Sequence, residues 1–446
     1  MNPRRLIPLA VLLIVAAGAY FLSAWHQERQ AAREQEAKRV FQVKAEEITG
    51  LALRRDKEEI QLAREGKSWR IVKPLKDRAD ERVLDAMLFS LARLDKEQEL
   101  PDGANLSKFG LDKPTLIVEV TAAGRPPGKL IIGGRAPGVM GGYYALKDQD
   151  PRPFIIKAHD LDVLNRKLSS LRDKVLFRFK PEEVTALTVI SPEGEVRLEK
   201  TGPLGWRWVG REEVKVRGDR VEHLLRGLTF PQVQDFVADE PKSLEPYGLA
   251  PKPQVQVVIK GKEEESLTLG AKAKDSVYAL KGEGGPVVLV DAKFPERFLK
   301  LGAALEDRRL WEGPVEAVPR LSWGAPGKIY TAVKGKDNWT IKGPDGKEIQ
   351  QPPLRLERAL EKLRNLEYLR RERLEKAPLG GEGFRVELFD QGGKLLFSLQ
   401  EAGAGDKDQV ELWGQGPQGA FTARVARPPY LDWQKEIARL TTVYKK

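Results

Sequence analysis

The sequence predicts an α+β protein of three tandem repeats, each an antiparallel-sheet-plus-two-helix module, preceded by one transmembrane helix and a helical stalk. Three observations lead there. The 446 residues are about three times an ordinary domain's length. Short segments recur in the same order at offsets of 133 to 138 residues. Within each copy, short alternating stretches with tight connections surround amphipathic helical stripes, a pattern that favours antiparallel pairing.

The first element is apolar. After Arg4 and Arg5 comes a run from Leu6 to Trp25, 20 residues that would span about 30 Å as a helix, the thickness of a bilayer core. Residues 1–25 are therefore expected to form an anchor, with Leu6, Leu13, Tyr20 and Trp25 as its membrane residues and the aromatic pair toward the interface. A cleaved signal peptide is the competing reading, because Ala17-Gly18-Ala19 has the small-x-small pattern, yet the apolar run continues past it. The short arginine tail tends to stay inside, which places the bulk of the chain in the periplasm of a single-pass inner-membrane protein. Residues 26–40 lack Gly, Pro and an apolar stripe, predicting a charged helical stalk. A coiled-coil helix is the alternative, but its apolar seam positions are missing.

The repeats follow at 41–178, 179–312 and 313–446, the last divergent. Each opens on Glu46-Glu47-Ile48-Thr49-Gly50-Leu51 or its echo, Glu182 to Leu187 or Val315 to Leu321. A hairpin leads to a strand headed by Trp69, Trp206 or Trp339, which are 137 and 133 residues apart. These tryptophans alternate with polar residues, so they are expected in the repeat cores. An amphipathic helix follows, with Val83, Leu84, Met87, Leu88, Leu91 and Leu94 as its stripe in the first copy. In the second copy Asp219 and Glu222 resemble a capping box; in the third, Pro353 suits a first turn. A turn then reads Phe109-Gly110-Leu111-Asp112-Lys113-Pro114, returns as Tyr247-Gly248-Leu249-Ala250-Pro251 and decays near Pro378. Further strands and a second helix close the copy, marked by Leu161, Leu164, Leu168 and Leu171 in the first, with counterparts from Phe294 and Tyr430. Leu171-Arg172-Asp173-Lys174 and Leu305-Glu306-Asp307-Arg308 occur only where another copy follows. Asp173 and Asp307 are therefore expected to organise the joints, by capping backbone donors or pairing with a nearby Arg.

Chemistry is constrained by what is missing. The chain has no cysteine and three histidines, His26, His159 and His223, which removes thiolate metal sites, disulfides and cysteine nucleophiles. No metal ligand set, cofactor motif or catalytic constellation is recognisable, so no catalytic, metal or cofactor residue is assigned. Gly124 to Lys129 superficially suggests a phosphate loop, but its two prolines lack donors and it reads as a hairpin turn; Gly133-Gly134 with Gly141-Gly142 reads as a loop. His223 is expected on a solvated helix face, and His159 with Asp160 at a helix cap. The acidic pairs Glu46-Glu47 and Glu182-Glu183 sit on expected strands, where adjacent residues point to opposite faces and cannot converge. Trp311, Trp323 and Trp413 fall outside the shared pattern and are candidates for an exposed aromatic surface. The net charge of +11 is interleaved with acids, which favours anionic headgroups, cell-wall polymer or an acidic protein face over nucleic acid.

The apolar run, Trp strand, Tyr-Gly-Leu-x-x-Pro turn, Gly142-Tyr-Tyr-Ala-Leu146 strand and Leu171-Arg-Asp-Lys174 joint resemble the bacterial domain-of-unknown-function family 4340. The resemblance covers 41–312 well and the remainder less. It implies no assigned activity. Its members are often encoded beside gliding-motility-type ABC transporter components, which implies an extracytoplasmic accessory role with transporter subunits as partners. The expected function is a non-enzymatic, membrane-anchored scaffold or accessory protein of a transporter or envelope complex. The alternatives are a cell-wall or polysaccharide-binding protein and an envelope hydrolase with dispersed carboxylates.

Overall fold

The computed structural model describes residues 35–442 apart from 102–104, 139–140, 149, 377, 379–381 and 404–406, together with Phe21, Trp25, Arg29 and Gln30. Leu6, Leu13 and Tyr20 of the expected anchor, and much of the stalk, lie outside the described residues. Trp25 is exposed, with the Arg29 guanidinium 3.7 Å from its ring centre. No helix among the described residues is long and apolar enough to cross a membrane.

The alternating stretches form three antiparallel sheets. The first contains β1 (Ile48–Arg55), β2 (Glu58–Glu65), β3 (Ser68–Lys73), β4 (Asp77–Arg78), β5 (Gln98–Glu99), β6 (Leu116–Ala122), β7 (Gly128–Ala136), β8 (Gly142–Lys147) and β9 (Phe154–Lys157). Its order is β4-β3-β2-β1-β6-β7-β8-β9-β5. The second contains β10 (Ala186–Ser191), β11 (Gly194–Lys200), β12 (Trp206–Trp208), β13 (Asp235–Ala238), β14 (Val255–Lys260), β15 (Glu264–Ala273), β16 (Ser276–Lys281) and β17 (Val287–Asp291). The third contains β18 (Arg320–Ala325), β19 (Lys328–Lys334), β20 (Trp339–Lys342), β21 (Glu348–Gln351), β22 (Tyr368–Leu374), β23 (Arg385–Phe389), β24 (Leu395–Gly403), β25 (Gln409–Gly416) and β26 (Gly419–Ala426). Its order, β21-β20-β19-β18-β23-β24-β25-β26-β22, repeats that of the first strand for strand.

The chain divides into two compact units, Met1–Val184 with Ile190–Pro192 and Leu225–Arg297, and Thr185–Val189 with Glu193–Leu224 and Phe298–Lys446. The first unit buries a core that includes Ile48, Leu51, Leu53, Ile60, Leu62, Trp69 and Ile71 beneath helix Glu81–Ala92. Alternation sets the faces: Leu51 and Leu53 go inward, while Arg54 turns outward to Glu59 at 2.9 Å and Glu119 at 2.8 Å. That helix begins where Asp80 Oδ1 accepts from the main-chain N–H groups of Arg82 and Val83 at 3.0 and 3.3 Å. The second unit gathers Trp323, Trp339, Ile341, Phe397, Phe421 and Trp433 around helix Pro353–Arg364 and helix Arg427–Ala438.

Several expectations are corrected here. The second helix is continuous only in the third copy. In the first it is Ala158–Leu164 and Leu168–Leu171, and in the second a turn of 3-10 helix, Phe294–Arg297, precedes Leu301–Leu305. The breaks fall at Asn165, which leaves helical geometry, and at Lys300, which takes a left-handed φ of 56°. Glu46-Glu47 and Glu182-Glu183 occupy single 3-10 turns, where Glu47 accepts from the Lys44 main chain at 3.2 Å and Glu183 from Lys262 at 2.8 Å. Helix Ala158–Leu164 has no side-chain cap, and His159 and Asp160 lie in its first turn. Burial, acting first, raises the Asp160 pKa. His223 is exposed and Gly124 sits between β6 and β7, both as expected.

Gly133-Gly134 is not a loop but part of β7, at a register irregularity between Ile132 and Arg135. Its role is close approach. Gly110 ends a 3-10 turn at φ 66°, and a Cβ on Gly133 would stand 2.4 Å from the Phe109 carbonyl oxygen. The second copy reproduces this, with Gly248 at φ 65° and a Gly270 Cβ 2.3 Å from the Tyr247 carbonyl oxygen. Phe109 then packs on Tyr144 at 4.5 Å between ring centres, and Tyr247 on Tyr278 at 5.1 Å. Gly133→Ala should lower stability by about 1–3 kcal/mol in denaturant unfolding, the usual cost of overpacking, and shift near-ultraviolet aromatic signals. Gly66→Ala, where a Cβ meets nothing within 4 Å, should show only the cost of its positive φ.

Candidate functional site

The expected core tryptophans are all buried: Trp69 on β3, Trp206 on β12 and Trp339 on β20. Their indole nitrogens have different surroundings. Trp206 Nε1 donates to Glu222 Oε1 at 3.1 Å, and Lys200 Nζ lies 2.9 Å from the same carboxylate oxygen. Glu222 is thus a buried acceptor on helix Gly218–Leu228, not half of a capping box. Asp219 is committed to Arg217 instead, at 2.8 and 2.6 Å. Trp339 Nε1 is buried with no hydrogen-bond partner among the described residues. Sequence reading missed Glu222 because its three-residue spacing from Asp219 has a local explanation, whereas its partner lies 16 residues upstream.

The turn residues Leu111 and Leu249 are buried and Pro114 is half-buried, so Gly110, Gly248 and their neighbours build the fold. The joint aspartates each combine two contacts. Asp173 Oδ1 accepts from the Val175 main chain at 3.0 Å, and its carboxylate pairs with Arg178. Asp307 Oδ1 accepts from the Arg309 main chain at 3.2 Å, and its oxygens hold the Arg309 guanidinium at 2.8 and 2.5 Å. Their own N–H groups donate to the carbonyls of Arg78 at 3.0 Å and Lys215 at 2.8 Å. The neighbour Arg172 escaped sequence reading. It is 4% exposed, reaches Asp77 and Asp239 at 2.6 Å each, and lies 3.6 Å from the Phe236 ring centre.

The expected exposed aromatic surface is overturned. Trp311 and Trp323 are 4% and 2% exposed. Trp311 packs by Phe397 at 6.3 Å, and Trp323 stacks on Tyr330 at 5.8 Å, because both rings fill the core of the third sheet. Trp413 is half-buried on β25, between the inward Leu412 and Gly414. The three do not converge on one surface.

Clefts among the described residues include two that hold expected site residues, Trp69 with Asp173 in one and Trp311 in the other. In the first unit, a cleft of about 640 Å³ is bounded by Trp69, Arg78, Glu81, Asp173, Lys174 and Arg178 among others. Burial pushes the Arg178 pKa down, and the neighbouring Arg78 cation adds to the effect. Lys281, whose Nζ donates to the Val175 carbonyl at 2.6 Å, is pushed down by burial and then by Arg178. Its charges are mixed and largely spent on each other and on the joint. In the second unit, a cleft of about 210 Å³ is walled by Leu310, Trp311, Pro314, Leu396 and Pro417, with Arg371 as its cation. Burial lowers the Arg371 pKa, so its charge is held at a desolvation cost. No group of three or more metal-ligating side chains occurs among the described residues.

A family model described as Domain of unknown function (DUF4340) matches residues 69–240 and, overlapping them, 206–380. No curated protein matches the chain. Among solved structures, the DnaN sliding clamp (DNA polymerase III subunit beta) from Pseudomonas aeruginosa bound to griselimycin is 11% identical, with 86% of this chain and 92% of that chain covered. Its TM-score of 0.12 carries no argument.

Glu222→Ala should destabilise by about 1–3 kcal/mol, since it strands the Trp206 N–H and the Lys200 cation, while Glu222→Gln should keep the indole bond and lose less. Thermal denaturation with Trp fluorescence distinguishes these outcomes. Arg217 holds the Asp219 carboxyl down at about 2. A carboxyl depressed on folding contributes stability that is complete above its unfolded value of ~3.9 and is lost as pH falls toward the folded one. Asp219→Asn should therefore flatten the acid limb of a Tm–pH curve between about pH 4 and 2, by a modest amount because the side chain is 57% exposed.

Proposed function

The chain belongs to the DUF4340 family, and from that premise we propose that it is a non-enzymatic scaffold or accessory protein of an extracytoplasmic membrane complex. The observation that carries the reading is the fate of the recurring residues. Trp69, Trp206 and Trp339 are buried, Gly110 and Gly248 form tight turns, and Asp173 and Asp307 are held by arginine and main-chain N–H groups. Residues committed to the fold in this way are not available to react, so the work falls to surfaces that differ between copies. Support for the membrane setting comes from the sequence, in the 20-residue apolar run Leu6–Trp25 behind two arginines. In this reading the sheets stand on the outer side of an inner membrane, and the partner is a transporter or another envelope complex.

The test is recovery from membranes. Tagged full-length chain, cross-linked in cells and extracted in mild detergent, should bring down the same membrane-complex subunits in repeated purifications. Recovery of the chain alone from every detergent would overturn the proposal.

A further inference from the structure

The returning edge strand differs between the copies. In the first sheet it is β5, only Gln98–Glu99, and in the second β13, Asp235–Ala238. Short edges of that kind resist pairing with other chains. In the third it is β22, Tyr368–Leu374, seven residues at the end of the sheet without a proline. The chain entering each copy covers the approach to this strand, through the bridges Arg39 to Asp95, Val175 to Gln232 and Arg309 to Glu367. In the third copy that cover ends where Tyr368 N–H donates to the Arg308 carbonyl at 2.8 Å. Beyond it, Leu369 is 52% exposed, and among the described residues the main chain of 369–374 has partners only on the β26 side.

The side chains of this open edge carry uncompensated positive charge. Arg370 is paired with Glu372 at 2.6 Å on one face. On the other face, Arg371 rests 4.1 Å from the Phe421 ring centre, and Arg373 is exposed. Neither has a carboxylate partner among the described residues. Glu312, beside Arg371, is already taken by Lys215, whose Nζ lies 2.9 and 2.8 Å from its two oxygens. Arg371 also forms part of the 210 Å³ cleft, whose Trp311, Leu396 and Pro417 walls offer an apolar side chain a place to enter. An unpaired main-chain edge, two unmatched guanidinium groups two residues apart and an apolar cavity beside them are complementary to one kind of occupant.

We propose that β22 accepts an extended acidic segment of a partner protein as an added strand, with alternating carboxylates against Arg371 and Arg373 and one large apolar side chain in the Trp311 cleft. This rests on the scaffold reading and supplies its partner chemistry. Main-chain hydrogen bonds hold the segment, the arginines select acid at every second position, and the cleft fixes register. The side chains of an added strand alternate as those of β22 do, so the two carboxylates and the apolar residue all belong to one face.

The test uses full-length chain in detergent and a fluorescent peptide alternating Glu with Val around one Leu, read by anisotropy. The acidic peptide should bind, and its Lys-for-Glu counterpart should not. Arg373→Glu, an exposed change that spares the core, should weaken binding at least about tenfold. Ala317→Trp, at the rim of the cleft, should weaken binding of the Leu peptide but not of its Ala-for-Leu version. Alternate main-chain N-methylation on the edge-facing side should abolish binding. Equal binding by the N-methylated peptide, full competition by octanoate alone, no effect of Arg373→Glu, or no binding at all would each overturn strand addition. A doubling of particle mass by light scattering that Arg373→Glu abolishes would instead make a second copy of this chain the occupant and would also overturn the proposal. If membrane subunits still co-purify with the Arg373→Glu chain, the scaffold reading survives and only this edge is excluded.

Discussion

Each sheet buries one leading tryptophan on a strand that also carries polar or charged residues, and the helices are arranged around that burial. A ring of this size removes a large apolar surface from water, so it sets which face of the strand is inside. The face in turn fixes the register, because a slip of one residue would bring Arg70, Arg207 or Thr340 into the core. The indole N–H is the remaining polar obligation. The second copy meets it with a glutamate from its helix, whereas in the third Trp339 Nε1 is buried without a partner among the described residues. One module thus tolerates different polar solutions over the same apolar plan.

The charges follow a second logic. At the joints they are used up locally: Asp173 with Arg178, Asp307 with Arg309, and Arg172 between Asp77 and Asp239. Such groups position the chain and leave little attraction for a ligand. The strand Tyr368–Leu374 is the contrast: among the described residues neither Arg371 nor Arg373 forms an ion pair, Arg371 resting on the Phe421 ring beside a Glu312 already held by Lys215. A net charge of +11 that composition could not place therefore has at least one concentrated local expression.

Much of the fold was legible. The Trp strands, the stripe of helix Glu81–Ala92 and the glycine turns all carry signals within a few residues, where period and φ preference act. Elements with no such signal were missed. The strand β22 reads Tyr-Leu-Arg-Arg-Glu-Arg-Leu and lacks apolar alternation, because an edge strand has little to bury. The candidate site was less legible still. Trp311 and Trp323 were read as exposed for want of a shared pattern, but a ring outside the repeat can still fill a core whose shape the repeat creates.

The sequence alone determined the period, the core tryptophans and the turn glycines, since these depend on side-chain size, apolar spacing and local backbone freedom. Tertiary structure decided that Glu222 serves Trp206, that Arg217 meets Glu367 across 150 residues, and that β22, among the described residues, has an unpartnered outer edge beside the Trp311 cleft. The division is physical. Periodicity reports which face of an element is buried, but not which distant donor or ring will lie opposite, and those pairings exist only once the chain has closed on itself.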